Sequence, residues 1–445
     1  MTTCKALSGP FLIFAIALFC LFSPSLRAAE DVEVSTTSSS ESETKSVPVS
    51  ELGTGMFSRL PFHLSASVRG GYDDNVNTSS VDQQGSPFSS ANLALTYDFG
   101  SPRTKISLGA GAGVTYYWDK IQTPGTNNYD TNENLSFSLT HKVNPRLTLS
   151  TIDYVTYQTE PDFSISQGVN HRSGNFFFTD DKISAAFLWT PRFSTSTSYN
   201  LTALNYDDIA TGLFEDRFEN TFGNEFRFLI WPTTSLIAEY RFELVNYTHE
   251  GDVIAPAVFI NGVKVAPATR LERDSTTHYL LGGFDHIFNP RFNVSLRGGA
   301  QFRDFSQGSG ESSPYFEGTL NYVLGKQTSV AWTSHYGLEA SDNAQSQSRQ
   351  TFRTGVTAKH DFTPRISGSL AAYYENDDYL GTTNSSGVVS PSFTQQSFDI
   401  AVSLRYAVTR SLGLEAGYNY TDVSSDMSLN DYSRNRYWGG VNFNF

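Results

Sequence analysis

Cysteine is nearly absent from this chain. Cys4 and Cys20 are the only two in 445 residues. Both lie near the N-terminus, so the rest of the chain can build no disulfide framework, thiolate metal site or cysteine nucleophile. Long apolar runs are scarce too. Only Phe11 to Phe22 is continuously apolar, whereas a membrane-spanning helix needs ~20 such residues. Charged residues make up only 17% of the chain, and acids outnumber bases 45 to 31. A surface of that sign repels nucleic acid.

The apolar run has a purpose of its own. Lys5 precedes it, and Ser23-Pro24-Ser25-Leu26-Arg27-Ala28-Ala29 follows with small residues at a plausible cut. Residues 1–29 therefore read as a secretory signal peptide. Phe19 before Cys20 disfavours lipid attachment, which wants a small residue there. Cleavage after Ala28 leaves 29 basic against 45 acidic residues, a formal charge of −16. Residues 30–60 contain Ser-Thr-Thr-Ser-Ser-Ser-Glu-Ser-Glu-Thr at 35–44 and lack apolar content, so they read as a disordered periplasmic leader.

What the chain does have is 34 Phe, 23 Tyr and 34 Gly, and stretches in which apolar and polar residues alternate. At the C-terminus Tyr437, Val441, Phe443 and Phe445 share one face, while Arg436, Trp438, Asn442 and Asn444 share the other. Leu64, Ala66 and Val68 oppose Ser65, Ser67 and Arg69 in the same way. Period two is the mark of a strand with unlike faces. A chain that ends inside such a strand suits a closed barrel, whose last strand must pair with its first. In Leu147 to Tyr157 the apolar set changes phase near Ser150-Thr151, and a β-bulge is the simplest expectation.

Tight turns divide residues 61–445 into hairpins. They include Ser101-Pro102-Arg103, Asn144-Pro145-Arg146, Thr190-Pro191-Arg192, Asn289-Pro290-Arg291, Gly325-Lys326-Gln327 and Thr363-Pro364-Arg365. At the other strand ends stand longer polar loops, as after Tyr72-Asp73-Asp74 and Tyr206-Asp207-Asp208. Short turns on one side and long loops on the other are expected of an outer-membrane barrel. The pattern predicts an all-β, transmembrane antiparallel β-barrel of about 18 strands, each able to cross hydrocarbon. Aromatics near turns (Phe99, Trp189, Phe193, Trp231, Phe288, Phe292, Phe362) and near loops (Tyr72, Trp118, Tyr206, Tyr247, Tyr374) predict two interfacial girdles. A soluble solenoid or sandwich would not need them.

The terminal Tyr437, Val441, Phe443 and Phe445 look like the recognition signal of bacterial outer-membrane barrels. With the signal peptide, the polar leader and the first strand Ser65-Ala66-Ser67-Val68-Arg69-Gly70-Gly71-Tyr72-Asp73-Asp74-Asn75-Val76, residues 60–445 resemble a β-barrel porin family of Gram-negative bacteria. Some of its members resemble barrels encoded beside exopolysaccharide export genes. The resemblance implies no catalytic residues. It implies contacts with outer-membrane lipid, lipopolysaccharide and the barrel-assembly machinery.

Catalysis and cofactors find little support. The eight histidines show no metal-ligand spacing such as H-E-x-x-H. Asp73, Asp74, Asp207 and Asp208 with His171 or His249 could serve a rim protease only if they converged, which sequence cannot show. The acidic strand tops could hold Ca²⁺ or Mg²⁺, but Asp and Asn also simply end strands and solvate loops. The expectation is no enzyme, no cofactor and no metal.

Charge within the strands points inward. Glu225, Arg227, Glu239, Arg241 and Glu243 lie on the faces opposite the apolar ones, as do Arg297, Arg303, Glu317, Arg353, Arg405 and Glu415. Facing lipid, an Arg near the midplane would cost ~2–4 kcal/mol. These residues are therefore expected to line the pore, either as a filter for solutes or as salt bridges stiffening the wall. In the longest loop, about His249 to Asp274, Ala257 to Ala266 reads as a hairpin about Asn261-Gly262, either folding over the pore mouth, packing on a neighbouring loop or standing free. The expected function is passive diffusion of small hydrophilic solutes, with a weak cation preference from the acidic rim. The alternatives are a conduit for polysaccharide export and a structural or adhesive barrel.

Overall fold

The computed structural model describes residues 62–120, 127–165, 171–208, 215–249, 253–255, 258–260, 263–266, 269–271, 273–306, 309–343, 345–381, 392–427 and 430–445. The segments read as signal peptide and leader lie outside them.

Eighteen long strands form one sheet. They are β1 (Phe62–Asp73), β2 (Ser86–Ser101), β3 (Thr104–Tyr117), β4 (Tyr129–Lys142), β5 (Leu147–Gln158), β6 (Phe176–Thr190), β7 (Phe193–Tyr206), β8 (Arg217–Trp231) and β9 (Thr234–Tyr247). Four short loop strands follow: β10 (Val253–Ala255), β11 (Val258–Ile260), β12 (Val263–Ala266) and β13 (Thr269–Arg270). The wall continues with β14 (Ser275–Asn289), β15 (Phe292–Phe305), β16 (Glu311–Leu324), β17 (Thr328–Ala340), β18 (Ser348–Thr363), β19 (Ile366–Tyr379), β20 (Phe393–Ala407), β21 (Leu412–Ser425) and β22 (Tyr432–Asn444). Each wall strand pairs antiparallel with its neighbour, and β9 passes directly to β14.

The sheet closes on itself, as the C-terminal alternation predicts. β1 pairs with β22, with Val68 opposite Val441. At the seam Phe445 donates its backbone N–H to Leu64 O at 2.8 Å, and Leu64 N–H returns to Phe445 O at 3.2 Å. In hydrocarbon an open edge would leave a row of backbone groups unsatisfied, so this closure is what lets a sheet span a bilayer.

The short turns are held by the side chain that precedes each proline. Asn144 Oδ1 accepts from Arg146 N at 2.8 Å and Leu147 N at 3.0 Å. Thr190 and Thr363 do the same with their hydroxyls, and Asn289 accepts from Arg291 N. The repeated Ser/Thr/Asn-Pro-Arg triplet is thus a local device: Pro presets φ while the preceding oxygen takes the free amides. Gly325 supplies the positive φ, +67°, that the proline-free turn requires.

Large apolar side chains cover the outside. Val68, Leu93, Leu135, Leu280 and Leu404 are exposed there, and Trp118, Trp189, Trp231, Phe288 and Phe362 stand exposed near the strand ends. Two of the expected girdle residues differ. Tyr206 is buried inside the barrel, and Tyr247 donates its hydroxyl inward to Ser341 O at 2.6 Å. The alternation carries both to the lumen face at the strand tops. The expected bulge near Ser150-Thr151 is absent as well. β5 pairs with β4 and β6 without a register shift, so Ile152 and Tyr154 face the lumen while Thr151 and Asp153 face outward. Register shifts instead occur beside turns, at Leu188/Thr190, Leu229/Trp231, Ile287/Asn289 and Asp361/Thr363. The loop hairpin forms as expected, with Ile260 opposite Val263. Its placement relative to the mouth concerns side chains outside the described set.

The two faces of one strand should respond oppositely to charge. Leu95→Arg, on the outer face of β2, is expected to destabilise the folded barrel by about 2–4 kcal/mol, whereas Thr96→Arg on the lumen face is tolerated. Urea titration in liposomes reads both; equal losses would contradict the facing.

Candidate pore constriction

The lumen is lined unequally. From β8 through β9 and β14 to β19 the inward positions carry Arg and Glu in turn. Strand pairing sets them side by side, and they join into ionic clusters. Arg241 forks onto Glu317, at 2.7 and 2.9 Å, and its Nε donates to Glu239 at 2.6 Å. Arg297 reaches Glu225 at 3.0 Å, Asp285 at 3.1 Å and Glu239 at 3.4 Å. Arg227 pairs with Glu225 and, at 2.7 Å, with Asp285. Higher in the wall, Arg303 meets Glu243 at 3.1 Å. Arg353 meets Glu375 at 2.6 Å and Glu339 at 3.0 Å.

Nine of the eleven charges singled out in the sequence thus pair within this arc of the wall, six of them in the cluster around Arg241 and Arg297. Arg405 and Glu415 stand apart on β20 and β21, directly opposite each other in register. Glu415 pairs with Arg69 at 2.6 Å, and that guanidinium lies 4.3 Å from the Trp438 ring centre.

The clusters are larger than their sequence signal. Arg349 is 1% exposed and pairs with Asp377 at 3.0 Å, Asp342 at 3.1 Å and Glu339 at 3.3 Å. Glu375 and Asp377 follow Tyr374 in what reads as a strand-ending acidic cluster. Their parity with Tyr373 was the available signal that they point inward.

The opposite wall, β2 to β7, is almost free of ionic pairing. Its inward positions include Asn92, Ala94 and Thr96 on β2, Gly109, Gly111 and Gly113 on β3, and Asn132, Asn134, Ser136 and Ser138 on β4, and its inward charges balance, Asp98, Asp130 and Asp180 against Lys105, Lys142 and Lys182. Ala94, Thr96, Asn132 and Asn134 are exposed, whereas Thr277, Gln301, Thr351 and Asp377 on the charged side have no exposure. A recess of about 610 Å³ at the turn end, lined in part by Asp98, Lys105, Ser107 and Thr140, opens on this neutral side. Water therefore meets the hydroxyl and amide wall, and the charged wall is covered.

Part of that cover is the loop between β5 and β6. Its described ends lie inside the barrel, against both their own strands and β19, β21 and β22. Glu160 takes hydrogen bonds from Arg434 Nη1 at 2.6 Å, and Arg436 approaches at 3.5 Å. Phe163 packs with Val423, Tyr432 and Tyr373. Ile165 packs with Phe176, Phe178, Leu204 and Tyr206. His171 stacks on Phe163 with ring centres 4.1 Å apart, and Tyr432 donates its hydroxyl to His171 O. A cavity of about 150 Å³ remains between this loop and the wall, lined among others by Asp162, Tyr373, Asp399, Asn419 and Arg436. Sequence reasoning looked to residues 249–274 for an occluding loop and passed over this one. Its signal was the pair of apolar residues Phe163 and Ile165 in a segment otherwise polar.

Residues 61–445 match the family described as "Putative beta-barrel porin 2". The chain belongs to this family. It is a porin-like channel of the outer membrane. No curated protein matches the chain. By shape the barrel is similar to OpdK of Pseudomonas aeruginosa, solved with vanillate, at 11% identity over 86% of this chain and 99% of that one, with a TM-score of 0.41. It is also similar to the siderophore receptor PirA of Acinetobacter baumannii, at 8% identity over 87% and 81%, with a TM-score of 0.41. At such scores neither likeness carries a conclusion about this chain.

Two groups make the porin's inward loop acid-sensitive in separate windows. Burial alone would raise the Glu160 carboxyl, but Arg434 and Arg436 hold it well below the carboxylate range. Burial lowers the His171 imidazole, with Arg353 and Arg349 adding to the effect and Glu375 and Asp342 opposing it. Its Nε2 is buried without a hydrogen bond among the described residues. A histidine held neutral favours the docked loop above its ordinary pKa of 6.5, and this support is lost progressively as pH falls below 6.5. The Glu160 anchor persists to pH below 4.5. Single-channel conductance is therefore expected to change as pH falls below 6.5, and His171→Phe should remove that step. An identical profile in the variant would exclude His171 as its source.

Removing one partner of the buried network should be costly. Arg349→Gln strands Asp342, Glu339 and Asp377 and is expected to lose about 3–5 kcal/mol of stability, read as a lower denaturation midpoint. A loss below about 1 kcal/mol, the value of an exposed pair, would show that water reaches the cluster.

Proposed function

We propose that this porin passes small hydrophilic solutes by passive diffusion, along the neutral side of its lumen. The observation that carries this reading is the unequal lining. Arg227, Arg241, Arg297, Arg303 and Arg353 meet acids within their own wall, so they project little net field into the open half. Exposed Thr96, Asn132 and Asn134 offer donors and acceptors without net charge. An excess of acids over bases enriches cations at the mouth within about a Debye length, ~8–10 Å. The result is a water-filled pore with a weak cation preference.

A second reading, a conduit for an exported polysaccharide, is supported by the same hydroxyl and amide wall, which could slide past a chain of hydroxyls. Planar-bilayer recording separates these. Small sugars and ions should permeate with reversal potentials in a salt gradient slightly favouring cations, and Arg241→Gln with Arg297→Gln should shift that preference further. A clear anion preference lost in the double variant would overturn the selectivity assignment. Block by long oligosaccharides but not by monosaccharides would favour the second reading. No conductance at all would favour a structural barrel.

A further inference from the structure

Every lysine and arginine within the described wall strands alternates to the lumen side, as the bilayer demands. The outer face nonetheless carries a polar patch well inside the membrane. With no bulge in β5, Asp153 faces outward and pairs in register with Asp181 of β6, which also faces outward. Phe187 and Trp189 stand below them toward the turn, and Phe177 above. Both carboxylates therefore lie between the two aromatic belts.

Across the next two strands the outer face carries Thr197 and Tyr199 on β7 and Asn220 and Asn224 on β8. Exposed Ile183, Phe218, Phe222 and Phe226 surround them.

The hydrogen bonding of this patch is half complete, and in a complementary way. Asp153 Oδ1 accepts from Thr151 at 2.9 Å, and Asp181 Oδ2 accepts from Thr179 at 2.9 Å. Their second oxygens have no donor among the described residues. Asn220 Oδ1 accepts from Tyr199 at 2.7 Å, and Asn224 Oδ1 accepts from Thr197 at 3.2 Å. Their amide nitrogens have no acceptor among the described residues. Spare acceptors thus lie on β5 and β6, and spare donors on β8. Lipid tails satisfy neither.

We propose that the outer face of β5–β8 is the contact between two copies of this chain. A two-fold axis along the membrane normal, between β6 and β7, sets β5 and β6 of one copy against β8 and β7 of its partner. The Asp153 carboxylate of each copy then meets the β8 amides of the other, twice, with Asp181 beside it against the partner's β7. This is the self-complementarity that a two-fold interface requires, and polar side chains are the groups that hold membrane-embedded contacts together. A second copy brings no lipid-facing cation, so amide donors are the partner chemistry that it supplies.

The test uses the intact protein. Native mass spectrometry from lipid nanodiscs should show a dimer. Asn220→Leu with Asn224→Leu, and separately Asp153→Leu with Asp181→Leu, should each lower the dimer fraction by about tenfold. Heat-modifiable migration confirms that each variant remains a folded barrel. Because the only native cysteines fall in the segment read as a signal peptide, single cysteines report contacts directly. Ile183→Cys should cross-link to a second copy through a short bismaleimide in outer membranes, whereas Val402→Cys, exposed on β20, should not. A monomeric wild type, a dimer indifferent to both double variants, or equal cross-linking from the two cysteines would overturn the proposal. Cross-linking of Ile183→Cys only to a different protein would overturn it in favour of a foreign partner. None of these readouts depends on conduction, so they stand or fall apart from the transport reading.

Discussion

Closure of the backbone ladder between β1 and β22 is the constraint on which the rest depends. In water a sheet edge can be solvated, but in hydrocarbon each unpaired N–H or C=O costs several kcal/mol. The seam from Ser65 to Asp73 against Asn444 to Arg436 removes both edges at once. Once the sheet is closed, alternation sorts every side chain to lipid or lumen. A residue has no third place to go. Arg and Lys gather inside because the outer face rejects them, and they must then find partners in a confined space.

How they find them makes this barrel more than a tube. On β8 to β19 the inward charges lie close enough to pair across neighbouring strands, and Arg forks suit that geometry. Buried ion pairs of this kind are weak sources of net stability but strict about their partners, since a stranded charge is costly. The inward loop takes the same chemistry across the lumen, where Glu160 engages Arg434 of β22. Apolar contacts from Phe163 and Ile165 complete its docking. The consequence is a lumen with a filled charged side and an open neutral side.

The outer wall follows the same logic with one exception. Asp153 and Asp181 face outward because β5 pairs in unbroken register with both neighbours. A bulge would have returned Asp153 to water, and its absence is what makes this region of the wall unusual. The polar groups there satisfy one another only in part, unlike the turns at Asn144, Thr190 and Thr363, where one side-chain oxygen serves amides two and three residues on.

Much of this protein was determined by sequence alone. Period-two alternation, the Ser/Thr/Asn-Pro-Arg turns and the terminal Phe445 specify a barrel of 18 strands, because local turn chemistry and facing both repeat along the chain. The inward placement of Arg241, Arg297 and Glu317 was legible for the same reason. Tertiary structure decided what lies across the lumen or depends on register between strands. Which acid each arginine meets, and that Asp285, Glu339 and Arg349 join them, depends on pairing among strands separated by loops of variable length. That the loop after β5 contributes contacts inside the lumen depends on Arg434, some 270 residues away in sequence. Contacts at that separation leave no periodic trace, and the same holds for the register that turned Asp153 outward.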